Sequence, residues 1–357
     1  MSDFFEIDFL DVESKKSGDA IPLRYSIDGV TRIHVTDGGF QATGDLVVKH
    51  INKYYGAPKY IDAVIVTHPD GDHAGGLRKL FDEYEIGELW MLRPWLYADE
   101  LIDRFSRFTS SDNFAKRLKE IYPNLATLEQ LAKEHGVKIS EPFQGAKIGE
   151  FSVLAPSKPR YLDLVVESEK TPEATKAEEQ TLAEAAGQLI KKAINFIKSA
   201  WGDEYFPEGD TSPENNMSVI QYACLCDKKV LLTGDAGRAA LEEAADFAPN
   251  VGLVLPGIDR MQVPHHGSRH NVSTEVLDRW LGTKHDVQPE SESFTAIVSA
   301  AKEDKDHPRK SVVRAFIHRG AKVISTEGSD KRTGHNAPDR EGWVAVTPIP
   351  YPEDQED

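Results

Sequence analysis

Cysteine is nearly absent: the 357 residues hold two, Cys224 and Cys226, in "QYACLCDKK". Residues at i and i+2 of a strand share a face but sit poorly for bridging each other. A disulfide framework is therefore excluded as an organising feature, and two reduced thiols are expected. Long apolar runs are missing as well. No stretch approaches the ~20 apolar residues of a membrane span. The start, "MSDFFEIDFL", is acidic and alternating where a signal peptide would be basic and then apolar. A soluble, cytoplasmic chain with no membrane partner is expected. Positive charge is in the minority, 42 basic against 59 acidic side chains for a net −17. Such a surface repels polyanions on average, so a nucleic-acid role needs a local basic patch or bound cations. No aromatic-interleaved basic surface for long single strands is present. Hydrophobic residues make up 39%, enough for one large domain or two ordinary ones.

What is there begins with strands. Phe5 to Val12 carries Phe5, Ile7 and Phe9 on one face and Glu6 and Asp8 on the other; Pro22 to Ile27 and Thr31 to Thr36 follow. A helix is expected from Leu46 to Tyr55, the strand Ala63 to Val66 after it, a strand at "ELWMLRP", and helix over 98–135. The strands "VKISEP" and "FSVLAP" lead to a helical insertion at about 158–214. Leu182, Ala186, Leu189, Ala193, Ile197 and Trp201 recur there at helical spacing, a stripe for packing on a core or for holding a protein partner. β/α alternation then returns. It has a hairpin across Asp227 and Lys228, a helix at Arg238 to Phe247, strands at Val251 to Leu255, "MQVPHHGS", "FTAIVSA" and "KVIST", and a last strand at "GWVAVTPI". Residues 1–350 read as a single domain, and 351–357 as a solvated, disordered acidic tail.

One strand runs directly into chemistry. "VIVTHPDGDHAGG", Val64 to Gly76, puts His68, Asp70, Asp72 and His73 into six positions of one turn. Imidazoles and carboxylates suit Zn²⁺, Mn²⁺ or Fe²⁺, and four of them exceed what one catalytic ion needs from one loop, so two ions are expected. Asp72 also has the position of a helix cap. Asp235 follows "VLLTG" at a strand end, placed either to bridge two cations or to cap the next helix. His265 and His266 end another strand. Adjacent residues do not easily share one direction, so one is expected as a ligand and the other on substrate or a supporting carboxylate. His307 precedes Pro308 at the start of a helix, whose positive end favours an anion nearby.

"THPDGDHAGG" resembles the signature loop of the metallo-β-lactamase fold hydrolases, in the variant whose second histidine is aspartate. That variant marks the ComEC-like branch, the hydrolase domain of the competence protein ComEC and related phosphodiesterases. "TDGG" (Thr36 to Gly39), "LLTGDAG" with Asp235, "VPHHGS" (Val263 to Ser268) and "HPRKSVVRAFIHRGAKVIST" are similar to further motifs of the branch, in its order. The resemblance implies an αββα sandwich, two mixed sheets with helices outside, and hydrolysis at two divalent ions, Zn²⁺ or Mn²⁺. Asp70 stands where relatives carry a histidine, and no histidine falls between His135 and His265. Both departures argue against a β-lactamase and for His307 completing the metal set. "DVESKKSGDA" keeps the family's Gly-Asp-Ala with a longer, basic lead.

The resulting assignment has His68, Asp70, Asp72, His73, Asp235, His265 and His307 as metal ligands. Asp72, His266 and His307 are the catalytic groups, one of the histidines protonating a leaving oxygen. The sequence does not say which of His265 and His266 is the ligand. Arg269 and Asn216 are candidates for a substrate phosphate. The window His307 to Lys322 holds Arg309, Lys310, Arg314, Arg319 and Lys322 without an acidic residue, a basic rim for a phosphate-ester substrate, single-stranded nucleic acid or nucleotide. The expected function is a dinuclear phosphodiesterase or nuclease. A hydrolase of small carboxylic, thioester or phosphorylcholine esters is the alternative, followed by a nonenzymatic partner-binding module.

Overall fold

Alternation in the first strand decides how the layers stack. The computed structural model describes residues 2–13, 15–168, 170 and 196–356. Its strands are, in order, β1 (Phe4–Phe9), β2 (Ala20–Ile27), β3 (Val30–Gly38), β4 (Tyr60–Ile65), β5 (Glu85–Trp90), β6 (Lys138–Ser140), β7 (Lys147–Ile148) and β8 (Phe151–Ala155). They continue as β9 (Phe196–Lys198), β10 (Ile220–Leu225), β11 (Lys228–Leu232), β12 (Arg260–Gln262), β13 (Phe294–Val298), β14 (Ala321–Ser325), β15 (Lys331–His335) and β16 (Asp354–Glu356). Two seven-stranded sheets form, β15-β1-β2-β3-β4-β5-β6 and β14-β13-β12-β11-β10-β8-β7. Phe5, Ile7 and Phe9 face the second sheet and pack with Ile21, Leu23, Phe151, Leu225, Leu232 and Ile297. Each sheet's other face carries helices: Gly44–Tyr54 and Pro123–Glu134 on the first, Arg238–Phe247 and Lys310–His318 on the second. This is the αββα sandwich. Glu6 and Asp8, on the outward face of β1, are buried nevertheless, Glu6 among Arg24, Arg332 and Arg340, and Asp8 between Arg340 and His50.

Both sheets are mixed, and this positions the site. β3, β4 and β5 run parallel, as do β11, β12, β13 and β14. In open α/β sheets, ligand sites collect beyond the carboxyl ends of parallel strands. Here Asp37 stands at the carboxyl end of β3 itself, and the carboxyl ends of β4, β11, β12 and β13 lead into the loops that bear His68, Asp235, His266 and Ser299.

Several expected elements differ. The Leu182 to Ala193 part of the helical stripe lies outside the described residues. Ile197 is in β9 and Trp201 is in a turn against His318 and Tyr351, so neither continues a helix. Within 158–214 the described helices are Lys158–Glu167 and Pro213–Asn216. The acidic tail is ordered: β16 pairs with β9, and Gln355 and Glu356 are buried. Glu356 accepts from the first backbone N–H groups of the helix Lys310–His318, which explains why an acidic end docks there. "GWVAVTPI" forms no strand, although Ile349 N–H donates to the Val323 carbonyl of β14 at 2.8 Å, and the edge beside β1 is taken by β15. Val251 to Leu255 forms no strand, and 98–135 is divided into short helices at Phe105 and Tyr122.

The basic rim is also corrected. Arg314 is fully buried and donates to the carbonyls of Pro352 and Ala200 at 2.6 Å each. Arg319 is buried against Glu204 and Asp278, Lys310 pairs with Asp354, and Arg309 with Asp306. Arg314, Arg319 and Lys310 thereby fasten 196–207 and the C-terminal segment to the second sheet, whereas the Arg309 pair is local.

Candidate metal centre

The site grows out of strand ends. Asp19 is the last residue before β2, and its carbonyl receives Gly39 N–H at 2.7 Å while its N–H donates to the Asp72 carbonyl at 3.1 Å. Those two bonds tie three loops into one floor. Gly76 makes the same junction possible: a Cβ there would stand 2.0 Å from the Gly38 carbonyl oxygen, so the glycines after His73 permit a close backbone crossing.

Asp19, His73, Asp235 and His266, all buried, bring one ligand atom each to within 4.8 Å of one another. Asp19 Oδ1, His68 Nε2, His73 Nε2, Asp235 Oδ1 and His266 Nε2 are buried there without a hydrogen-bond partner. Buried polar atoms are normally satisfied, so four orphans brought together, with His68 beside them, call for a common partner. A divalent cation is the partner that suits carboxylate oxygens and imidazole nitrogens together. Supporting bonds aim the rings. His73 Nδ1 lies 2.8 Å from Asp37 Oδ2, and His266 Nδ1 2.9 Å from the Ser299 carbonyl, which aims each Nε2 at the cluster, where it can offer a lone pair once an ion displaces any proton there. Thr67 donates to Asp37 at 2.5 Å, so its oxygen accepts from His68 Nδ1 at 3.0 Å and frees His68 Nε2.

His265 and His266 share a direction after all. Both take left-handed backbone angles, φ 46° and 55°, which are costly for non-glycine residues and concentrate at functional sites. Their Nε2 atoms then lie 3.6 and 3.8 Å from the same Asp235 Oδ2. Asn271, fully buried, donates to the carbonyls of Asp235 and Ala236, so its oxygen faces His265 Nδ1 at 3.0 Å and takes its proton.

In the absence of a cation, protons balance the carboxylates. Burial would strip His73 of its charge, but Asp235 and Asp37 on either side hold it well above the usual imidazole value. Burial likewise opposes the Asp235 charge, yet His73, His265 and His266 keep it well below the carboxylate range. Burial pushes Asp19 up to about 7, against the pull of His73. Burial, then the His73 charge, holds His68 far below its ordinary value.

The other sequence candidates lie around this cluster. Asp72 is 3.9 Å from His266 Nε2, half-buried at the rim. His307 stacks 5.6 Å from His265, its Nδ1 3.2 Å from Asp304, and burial lowers it to about 4. Asp70 is turned to Lys170, with which it forms an ion pair. A cleft of about 550 Å³ opens here, lined by Lys16, Phe40, Gln41, Asp72, Asn124, His266 and His307 among others. Arg269 and Asn216 are outside its lining. Asn216 bonds to Asp210 and to the Ala240 N–H, holding the helix Arg238–Phe247, whereas its neighbour Asn215 reaches His265 at 3.1 Å. Sequence reasoning missed Asp19, Asp37 and Asn271. "GDA" and "TDGG" carried the signal for the first two; nothing marked the third.

The Metallo-beta-lactamase superfamily sequence model matches residues 28–135. ComE operon protein 3 of Bacillus subtilis (strain 168) is 22% identical over 274 residues, 75% of this chain but 24% of that protein, so the chain spans about a quarter of that relative. Among solved structures, a diphosphatase from the PhnP family aligns over 92% of this chain and 98% of its own, at 10% identity and TM-score 0.39. The Rm3 metallo-beta-lactamase aligns over 76% and 80%, at 11% identity and TM-score 0.32. Among the described residues no helix is long and apolar enough to cross a membrane.

Proposed function

We propose that this chain is a hydrolase of the metallo-β-lactamase superfamily, whose sequence model matches residues 28–135, and that it hydrolyses phosphodiesters with divalent metal, Zn²⁺ or Mn²⁺. The observation that carries the reading is the buried quartet of unpartnered ligand atoms, Asp19, His73, Asp235 and His266, beside an open cleft. Asp19, His73, Asp235 and His266 would hold an ion; the second ion expected from the sequence would draw on His68, Asp70 and His265. When bound, divalent metal supplies Lewis acidity toward a phosphoryl oxygen and toward water.

The chain's own residues do the rest. His307, kept neutral by burial and held through Nδ1 by Asp304, is suited to take a proton at Nε2 rather than to deliver one. Asn271 fixes the orientation of His265, and Asp72 borders the space a substrate enters. Lys16 in the cleft lining and Lys170 at Asp70 place positive charge near the cluster, which favours an anionic reacting group over a neutral ester. With the cations of 309–319 engaged inside the fold, a compact phosphodiester of nucleotide scale fits better than a long strand.

The test is turnover of bis(p-nitrophenyl) phosphate against p-nitrophenyl acetate, with Mn²⁺ supplied and withdrawn. Metal-dependent cleavage of the diester is expected, and Asp235→Asn should lower it about a thousandfold or more, the several kcal/mol of a lost ion. Hydrolysis of the acetate alone would move the protein to the carboxylic-ester class.

A further inference from the structure

A lysine stands beside Asp70, one of the residues assigned above to a second ion. Lys170 Nζ pairs with Asp70, the residue that replaces a histidine in the metal loop. The lysine is not loosely placed. Its backbone N–H donates to Ser168 Oγ at 3.2 Å, Tyr122 Oη donates to the same oxygen at 3.1 Å, and Ser168 donates to Glu214 Oε1 at 2.5 Å. Ser168, Tyr122 and Glu214 are all buried, and Glu214 adjoins Asn215, the amide that touches His265. One buried knot therefore holds both the Lys170 backbone and an edge of the metal cluster.

The ligand atoms match this asymmetry. Among the described residues, Asp19, His73, Asp235 and His266 are the one group of three or more compact enough to hold an ion. His68 Nε2 and His265 Nε2 each approach Asp235 Oδ2, at 3.8 and 3.6 Å, but with Asp70 they make no second compact set. The donor that would close that set is the carboxylate already paired to an ammonium.

Resting on the metal-dependent reading above, we propose that Lys170 supplies the second positive charge of this site. One ion occupies the Asp19–His73–Asp235–His266 quartet, and the Lys170 ammonium, paired with Asp70, takes the place of the other and binds a substrate phosphoryl oxygen. Lysine is a compact point charge that binds phosphate without fixed geometry, which suits such a substitution.

The test counts Mn²⁺ by titration calorimetry and by metal analysis after desalting, on the full chain. Wild type is expected to retain one Mn²⁺, with any second bound at least about tenfold more weakly. Lys170→Gln removes the competing cation, so its second Mn²⁺ should tighten roughly five- to tenfold while the first changes less than about twofold. Diester turnover of Lys170→Gln should fall at one equivalent of Mn²⁺ and recover in excess. Two ions of equal affinity in wild type, or a second ion indifferent to Lys170→Gln, would overturn the proposal and leave the metal-dependent reading standing. No bound ion in wild type would overturn both. Because Lys170 is exposed, the glutamine variant should keep the wild-type melting temperature, and a drop of more than a few degrees would assign the residue to folding instead.

Discussion

Metal binding should release protons from the quartet, and the number follows from its geometry. His73 is charged at pH 7, with its Nε2 proton 3.3 Å from Asp235 Oδ1 and its Nδ1 proton toward Asp37. An ion at Nε2 displaces the first proton and leaves the second, which Asp37 retains. Asp19, pushed up to about 7, is about half protonated at that pH and must also ionise to bind. About 1.5 protons should therefore leave per Mn²⁺ at pH 7, so affinity should rise about thirtyfold between pH 6.5 and 7.5. Both groups bind protons more readily in the ion-free protein, so acid must weaken metal binding and never strengthen it. Titration calorimetry in two buffers of different protonation enthalpy measures the proton count directly. Asp19→Asn should reduce the count to about one and the pH dependence to about tenfold per unit. Binding heats independent of buffer, with a flat affinity from pH 6 to 8, would refute the reasoning and place the ion elsewhere.

Two predictions concern what replaced the basic rim. Glu204 accepts from His318, Arg319 and Thr274, and although burial opposes its charge these partners lower it to about 2. A carboxyl depressed from 4.5 contributes stability that is full above the unfolded value and lost as pH falls toward the folded one. Glu204→Gln should thus cost roughly 3 kcal/mol at pH 7 and little near pH 2, by denaturant melts across that range; an equal loss at both ends would contradict the ion-pair account. Arg314→Glu would set a buried carboxylate against the carbonyls of Pro352 and Ala200, costing about 3–5 kcal/mol and lowering Tm by on the order of 10 °C. A variant that melts like wild type but loses salt-sensitive oligonucleotide cleavage would restore the nucleic-acid rim.

Period-2 alternation made the inter-sheet core readable, since Phe5, Ile7 and Phe9 have only one other layer to enter. It failed at "GWVAVTPI", which meets β14 through the Ile349 N–H without forming a ladder, while the edge beside β1 is taken by Lys331–His335, a strand too polar to signal itself. The charge pattern of 307–322 misled for a related reason. A window without acids looks like a free cationic face, but Glu204, Asp278, Asp354 and Glu356 come from 41 or more positions away from the groups they bind and were invisible as partners. The same long-range pairing turned an acidic tail from a solvated end into a strand.

For the site, the dense loop at 68–73 was legible because so many ligand types in one turn have few structural uses. The division of labour among them was not legible, because it is set by atoms without sequence motifs. Adjacency seemed to force His265 and His266 apart, yet that argument assumes ordinary backbone angles. Two consecutive residues at positive φ bend the chain enough to aim both rings at Asp235. Such strain persists only where its surroundings hold it, and here Asn271 and the Ser299 carbonyl grip the two rings from behind. Asp19 was overlooked for the opposite reason. A lone acid before a strand is ordinary, and it becomes a ligand only because Gln262 Nε2 donates to one oxygen at 2.9 Å while the other is left bare in the cluster. With one oxygen held by Gln262 and the other facing the cluster, the carboxyl is oriented before any ion arrives, and an ion need only displace its proton.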